Sequence, residues 1–195
     1  MSSGSSSAIF GLLLASLVAC TSNQPIEIVP RSDWGWSDSG QKLPEHRIEK
    51  ITIHHGGVTF DDDRDPPEYL RALQAWSRNE KGWIDIPYHY VIDLQGRVYE
   101  ARPIRFPGDT NTTYDPTSHA LIEVLGNYDN RDLGDAQFEA LAKLSAHLAT
   151  LHSVPINDIR GHRDYAPGET SCPGTSIYRR LEDGSLLRRV SQLMQ

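Results

Sequence analysis

The chain has 195 residues, 38% of them hydrophobic and 23% charged, and its 19 Lys and Arg against 26 Asp and Glu give a formal net charge of -7. That length and apolar content suffice for one globular domain with a sizeable core. The negative balance excludes nucleic acid as the main partner, because no basic field exists to displace phosphate counterions.

Residues 8–20, AIFGLLLASLVAC, are apolar and then small, and they run into the polar TSNQP. They fall short of the roughly 20 apolar residues that a membrane span requires, and their length suits the apolar centre of a secretion signal. Leu17-Val18-Ala19-Cys20 resembles a bacterial lipobox, which implies cleavage before Cys20 and lipid attachment to its sulfur. The opening MSSGSSS departs from that pattern by carrying no Lys or Arg; a buried N-terminal helix is the alternative. The segments are therefore read as a lipoprotein signal peptide over 1–20, a tether over 21–29 and a domain over 30–195. Thr21 and Ser22 lack the aspartate that retains lipoproteins at the inner membrane, so the implied location is periplasmic, lipid-anchored at the outer membrane of a Gram-negative bacterium. With Cys20 committed, Cys172 of the two cysteines has no intrachain partner and is a candidate reactive thiol or metal ligand.

VPRSDWGW (29–36) opens the domain and SDSGQKLPEHR is a loop. IEKITIHHGG (48–57) sets Ile48, Ile51 and Ile53 with β-branched Thr52 before paired glycines, a strand running into a turn. Pro66 and Pro67 mark a helix entry, with Leu70, Leu73 and Trp76–Ser77 at helical spacing and Gly82 closing the segment. YHYVIDLQGRVYEARP (88–103) reads as a hairpin and SHALIEVLGNY (118–128) as another strand. DAQFEALAKLSAHLATLHSV (135–154) places Phe138, Leu141, Leu144, Leu148 and Leu151 on one stripe, a helix. After the loop GHRDYAPGETSCPG (161–174), TSIYRRLEDGSLLRRVSQLM forms one helical segment or two. Helices alternating with strands predict a single α/β domain on a mixed sheet.

Candidate metal donors gather at His54-His55, on a strand end, and at His162 with Cys172 in the late loop. A catalytic zinc takes about three protein donors and leaves one position to water. Neighbouring strand residues face opposite ways, so only one of His54 and His55 can face a metal, and spacing does not choose between them. Nor does it show that the two segments meet; a solvated strand end and a simple turn are the alternative.

ITIHHGG, YHYVIDLQGRVYEARP, IEVLGNY and GHRDYAPGETSCPG, in that order, resemble the zinc-dependent N-acetylmuramoyl-L-alanine amidase family (amidase type 2), which includes peptidoglycan recognition proteins and phage amidase lysozymes. VPRSDWGW resembles the segment that opens recognition-protein domains, and the likeness spans most of residues 28–180. It implies a mixed central sheet flanked by helices, and Zn2+ held by His54, His162 and Cys172. It also implies catalytic roles for Glu123 as general base, for Tyr88 beside the reacting water and for Thr170. Glu123 belongs to one branch of the family and the cysteine ligand to another, so the choice of base among the three stays open; a surface charge, a strand aromatic and a turn cap are their plain alternatives. The implied activity is hydrolysis of the bond between N-acetylmuramic acid and L-alanine in peptidoglycan or muropeptides by a monomer, with a non-catalytic peptidoglycan-binding module as the alternative. His55 is a candidate outer support for the metal, His89 a candidate groove residue, and Arg163 with Asp164 a candidate bracing pair.

Overall fold

The computed structural model describes residues 26–41 and 43–195. The signal read at 1–20, with Cys20, lies outside the described residues, as does most of the tether. Among the described residues six strands, β1 (Ile28–Val29), β2 (Lys50–His55), β3 (Tyr90–Ile92), β4 (Val98–Glu100), β5 (His119–Val124) and β6 (Ile159–Gly161), pair in the order β1-β4-β3-β5-β2-β6. The β3–β4 hairpin is antiparallel and every other neighbour pair is parallel, so the sheet is mixed. Ile28 and Val29, read above as the end of a tether, pair with Val98 and Tyr99. The domain therefore includes them, because the open edge of β4 offers their backbone hydrogen-bond partners.

The described residues form five α-helices around the sheet: α1 (Pro66–Lys81), α2 (Asp135–His152), α3 (His162–Tyr165), α4 (Thr175–Glu182) and α5 (Ser185–Leu193). Helix α1 starts where the Asp65 carboxylate accepts the Glu68 N–H and Pro66 fills the first turn, and it stops at Gly82 with φ 68°. The C-terminal segment is two helices, parted at Asp183 and Gly184. On one face of the sheet, Ile51, Ile53, Ile122 and Val124 pack against Leu141, Leu144 and Leu148 of α2 and against Ile177, Leu186 and Val190. Each such burial contributes about 1.5–3 kcal/mol before chain entropy is counted. The opposite face carries Leu70 and Tyr69 of α1 with Trp34, Ile86, Val91 and Leu125. Two residues leave their predicted stripes. Leu151, in the last turn of α2, is 63% exposed, and Trp76 of α1 is 41% exposed and turns into a groove on the sheet's second face.

Candidate metal centre

Parallel register assembles the centre. His54 of β2 stands opposite Glu123 of β5, and Ile53 stands opposite Gly161 of β6, the residue before His162. Side chains alternate across a strand, so with Ile51, Ile53 and Ile122 turned to α2, His54 and Glu123 share the other face. Thus β5, β2 and β6, three adjacent strands, deliver Glu123, His54 and His162 near their carboxyl ends, where open α/β sheets bind ligands.

Cys172 arrives from a loop pinned at several points. The Arg163 N–H donates to the Cys172 carbonyl at 2.9 Å and the Cys172 N–H to Thr170 Oγ1 at 3.0 Å. Asp129 accepts from Ser171 Oγ at 2.7 Å and from the Thr175 N–H at 2.9 Å. Gly161 allows the approach, since a Cβ there would lie 2.8 Å from Pro173 Cδ. Arg163 and Asp164 both brace this loop, although by separate contacts. The Arg163 guanidinium donates to the Ser171 carbonyl, while Asp164 accepts from the Gly161 N–H and the Tyr178 hydroxyl.

The result is a buried trio. One ligand atom from each of His54, His162 and Cys172 lies within 4.8 Å of the others. Cys172 Sγ is 3.6 Å from His54 Nδ1, about the edge of a tetrahedron built from Zn–S of roughly 2.3 Å and Zn–N of roughly 2.0–2.1 Å. The His55 N–H also points at the sulfur, at 3.4 Å, a contact that favours thiolate. Burial lowers the His54 pKa well below 6.5 and the His162 pKa to about 4, so both imidazoles are neutral lone-pair donors at pH 7. Burial pushes the Cys172 thiol up to about 12, with the His55 N–H opposing. A cation that displaces the thiol proton is what this donor set fits.

Glu123 is 1% exposed, and desolvation raises its pKa from 4.5 to about 8, opposed by a hydrogen bond from the Tyr69 hydroxyl to Oε1 at 3.0 Å. Among the described residues its Oε2 has no partner. It is therefore not a surface charge. Gly56 makes room for it, since a Cβ there would stand 3.0 Å from Oε1. The Tyr88 ring lies 5.1 Å from that of His54, and burial raises its hydroxyl pKa well above 10, so it is a proton donor at neutral pH. Thr170 reaches the groove and also caps the Cys172 N–H. His55 accepts the Tyr128 N–H on Nδ1 at 3.2 Å. His89 does not line the groove: fully buried, it accepts the Leu121 N–H and bonds the Phe106 carbonyl. The groove above the trio encloses about 660 Å³. Val58, Leu73, Trp76 and Trp83 line it together with Asp109, Thr112 and Glu169.

The sequence profile of the N-acetylmuramoyl-L-alanine amidase family matches residues 44–175, more than half of the chain and all but the first strand and last helices of the fold. The chain belongs to that family. Among relatives of this amidase family, peptidoglycan recognition protein 1 of Mus musculus is 30% identical over 160 residues, 80% of this chain and 86% of the relative. The crystal structure of Drosophila peptidoglycan recognition protein SD matches at TM-score 0.71 and 23% identity, over 80% of this chain and 94% of that one. N-acetylmuramoyl-L-alanine amidase LysC from Clostridium intestinale URNW matches at TM-score 0.67 and 20% identity, over 82% and 97%. At those identities the two solved structures share the fold.

Sequence reading passed over several residues of this amidase-family site. Tyr69 on α1 holds Glu123, and Thr110, Thr112 and Tyr114 meet the ring nitrogens of His162 and His54. Only a weak alternation of small polar residues in Thr110-Asn111-Thr112-Thr113-Tyr114 signalled the last three.

Proposed function

We propose that the chain is a zinc-dependent hydrolase that cleaves the amide bond between N-acetylmuramic acid and L-alanine in peptidoglycan or muropeptides. The observation that carries this reading is the complete donor trio His54, His162 and Cys172 beside a buried carboxyl at the floor of an open groove. A zinc ion on those donors would supply Lewis acidity to polarise the scissile carbonyl and acidify water. Glu123 has the position to take a proton from water and return it to the leaving nitrogen: burial alone would keep it protonated up to about pH 8, and a bound cation beside it would favour the carboxylate that accepts the proton. Its unpartnered Oε2 is the atom free to do so. Tyr88 keeps its proton at neutral pH and can donate a hydrogen bond to developing oxyanion charge. Thr170 serves chiefly by ordering the Cys172 loop.

A groove of about 660 Å³ lined by both apolar and polar side chains suits a substrate joining sugar to peptide. Export and lipid attachment at Cys20 complete the proposal: acyl chains would hold the enzyme at the outer membrane, facing its polymer. Metabolic labelling with palmitate, lost in Cys20→Ala, tests that part. The main test is digestion of defined muropeptides with and without chelator. Stem-peptide release by metal-replete protein, abolished by chelator and restored by zinc, is the expected result; no release by metal-replete protein refutes the activity. Retained muropeptide affinity without cleavage would instead mark a binding module.

A further inference from the structure

Each imidazole of the centre has one ring nitrogen engaged by a hydroxyl of the same short segment, residues 110–114. His162 Nε2 lies 2.7 Å from Thr112 Oγ1 and 3.3 Å from Thr110 Oγ1. His54 Nε2 lies 3.5 Å from the Tyr114 hydroxyl, while its Nδ1 faces the Cys172 sulfur. Burial alternates along the segment, with Thr110, Thr112 and Tyr114 turned inward and Asn111 and Thr113 exposed. The backbone bends through residues 111–114, with the Thr112 N–H folded back onto Thr110 Oγ1 at 3.2 Å, and this turn brings the three hydroxyls to the side of the two histidines.

Both ends of the segment are tied down. Upstream, the fully buried Arg102 guanidinium pairs with Asp109 and donates to the carbonyls of Asp85 at 2.9 Å and Ile86 at 2.8 Å. Downstream, the Thr113 N–H donates to Glu169 Oε2 at 2.8 Å and its hydroxyl to Oε1. Glu169 belongs to the loop that delivers Cys172. The segment therefore touches both histidines and the loop of the third donor.

We infer that residues 110–114 are a positioning brace for the metal centre, in which Thr112 sets the tautomer of His162; this rests on the zinc reading of the site. A neutral imidazole carries one N–H. When Nε2–H donates to Thr112 Oγ1, Nδ1 keeps the lone pair that a cation needs. Thr112 is free to accept because Thr110 Oγ1, 2.8 Å away, can take its hydroxyl proton. Without that acceptor the ring loses the preference for one tautomer and one orientation. Outer partners of metal-bound histidines are typically worth about 10–100-fold in metal affinity.

The test is zinc affinity by competition with a chromophoric chelator, together with the cobalt absorption spectrum, on wild type, Thr112→Val, Thr112→Ser and Glu169→Gln. Thr112→Val should bind zinc about 10–100-fold more weakly and shift the cobalt bands, while Thr112→Ser, which keeps the hydroxyl, stays near wild type. Glu169→Gln changes an exposed side chain, so folding is safe, and it should weaken zinc by a smaller factor in the same direction. Wild-type affinity in both Thr112→Val and Glu169→Gln overturns the brace and leaves the zinc reading standing. Failure of the wild-type protein itself to bind zinc overturns both. If Thr112→Val does not fold, Glu169→Gln decides: a weaker affinity supports the brace and an unchanged one overturns it.

Discussion

Replacing Glu123 with glutamine should remove activity and, in the metal-free protein, remove a pH-dependent loss of stability. Glu123 is held by burial at a pKa of about 8 against 4.5 when exposed. Between those values the folded protein keeps a proton that the unfolded chain has released, so stability falls as pH rises. At about 1.36 kcal/mol per unit, the gap between Glu123→Gln and wild type should widen by roughly 3 kcal/mol from pH 5 to pH 8. The buried histidines act in the opposite sense. His54, His89, His119 and His162 have lowered pKa values, so they raise stability with pH only up to about 6.5 and add nothing above it. Among the shifted groups described, the interval from pH 6.5 to 8 therefore belongs to Glu123. Glutamine keeps the acceptor for the Tyr69 hydroxyl, so the substitution tests charge more than packing. Urea unfolding of chelator-treated protein at half-unit pH steps measures the effect. Parallel curves for wild type and variant across the whole interval would refute the account, whatever happens to activity.

Cys172→Ala should leave the metal-free fold within about 1 kcal/mol of wild type, because it removes one small buried atom. It should abolish the rise in melting temperature with added zinc, which for wild type corresponds to about 2.7 kcal/mol at a hundredfold excess over Kd; an undiminished rise in the variant would remove the thiol from the ligand set. Thr170→Val should cost about 0.5–1.5 kcal/mol by orphaning the Cys172 N–H, with Thr170→Ser restoring it. If Thr170 only orders the loop, Thr170→Ser also restores kcat; a kcat that falls in both variants with stability unchanged in Thr170→Ser would give Thr170 a direct catalytic part.

Local periodicity and punctuation were enough to place most elements. The alternation through Ile51, Thr52 and Ile53 marks β2, Pro66 and Pro67 mark the entry of α1, and Leu141, Leu144 and Leu148 mark the buried face of α2. These signals are local because a strand repeats every two residues and a helix every 3.6. They name faces without saying what lies against each. Trp76 sits at helical spacing with Leu70 and Leu73 yet turns into the groove, and Ile28–Val29 look like tether until the edge of β4 takes them up.

What the chain alone determined is the inventory: one small domain, its alternating elements, and the residue types of a His, His, Cys set with a carboxyl, made specific by the order of four motifs. Which of His54 and His55 faces Cys172, and whether His162 meets it there, was decided by strands β5, β2 and β6 lying side by side in register. The brace over residues 110–114, the Tyr69 contact to Glu123 and the separate tasks of Arg163 and Asp164 depend likewise on partners distant in sequence. Hydrogen bonds and desolvation act through space over a few ångströms, so a one-dimensional pattern carries their participants but not their pairing.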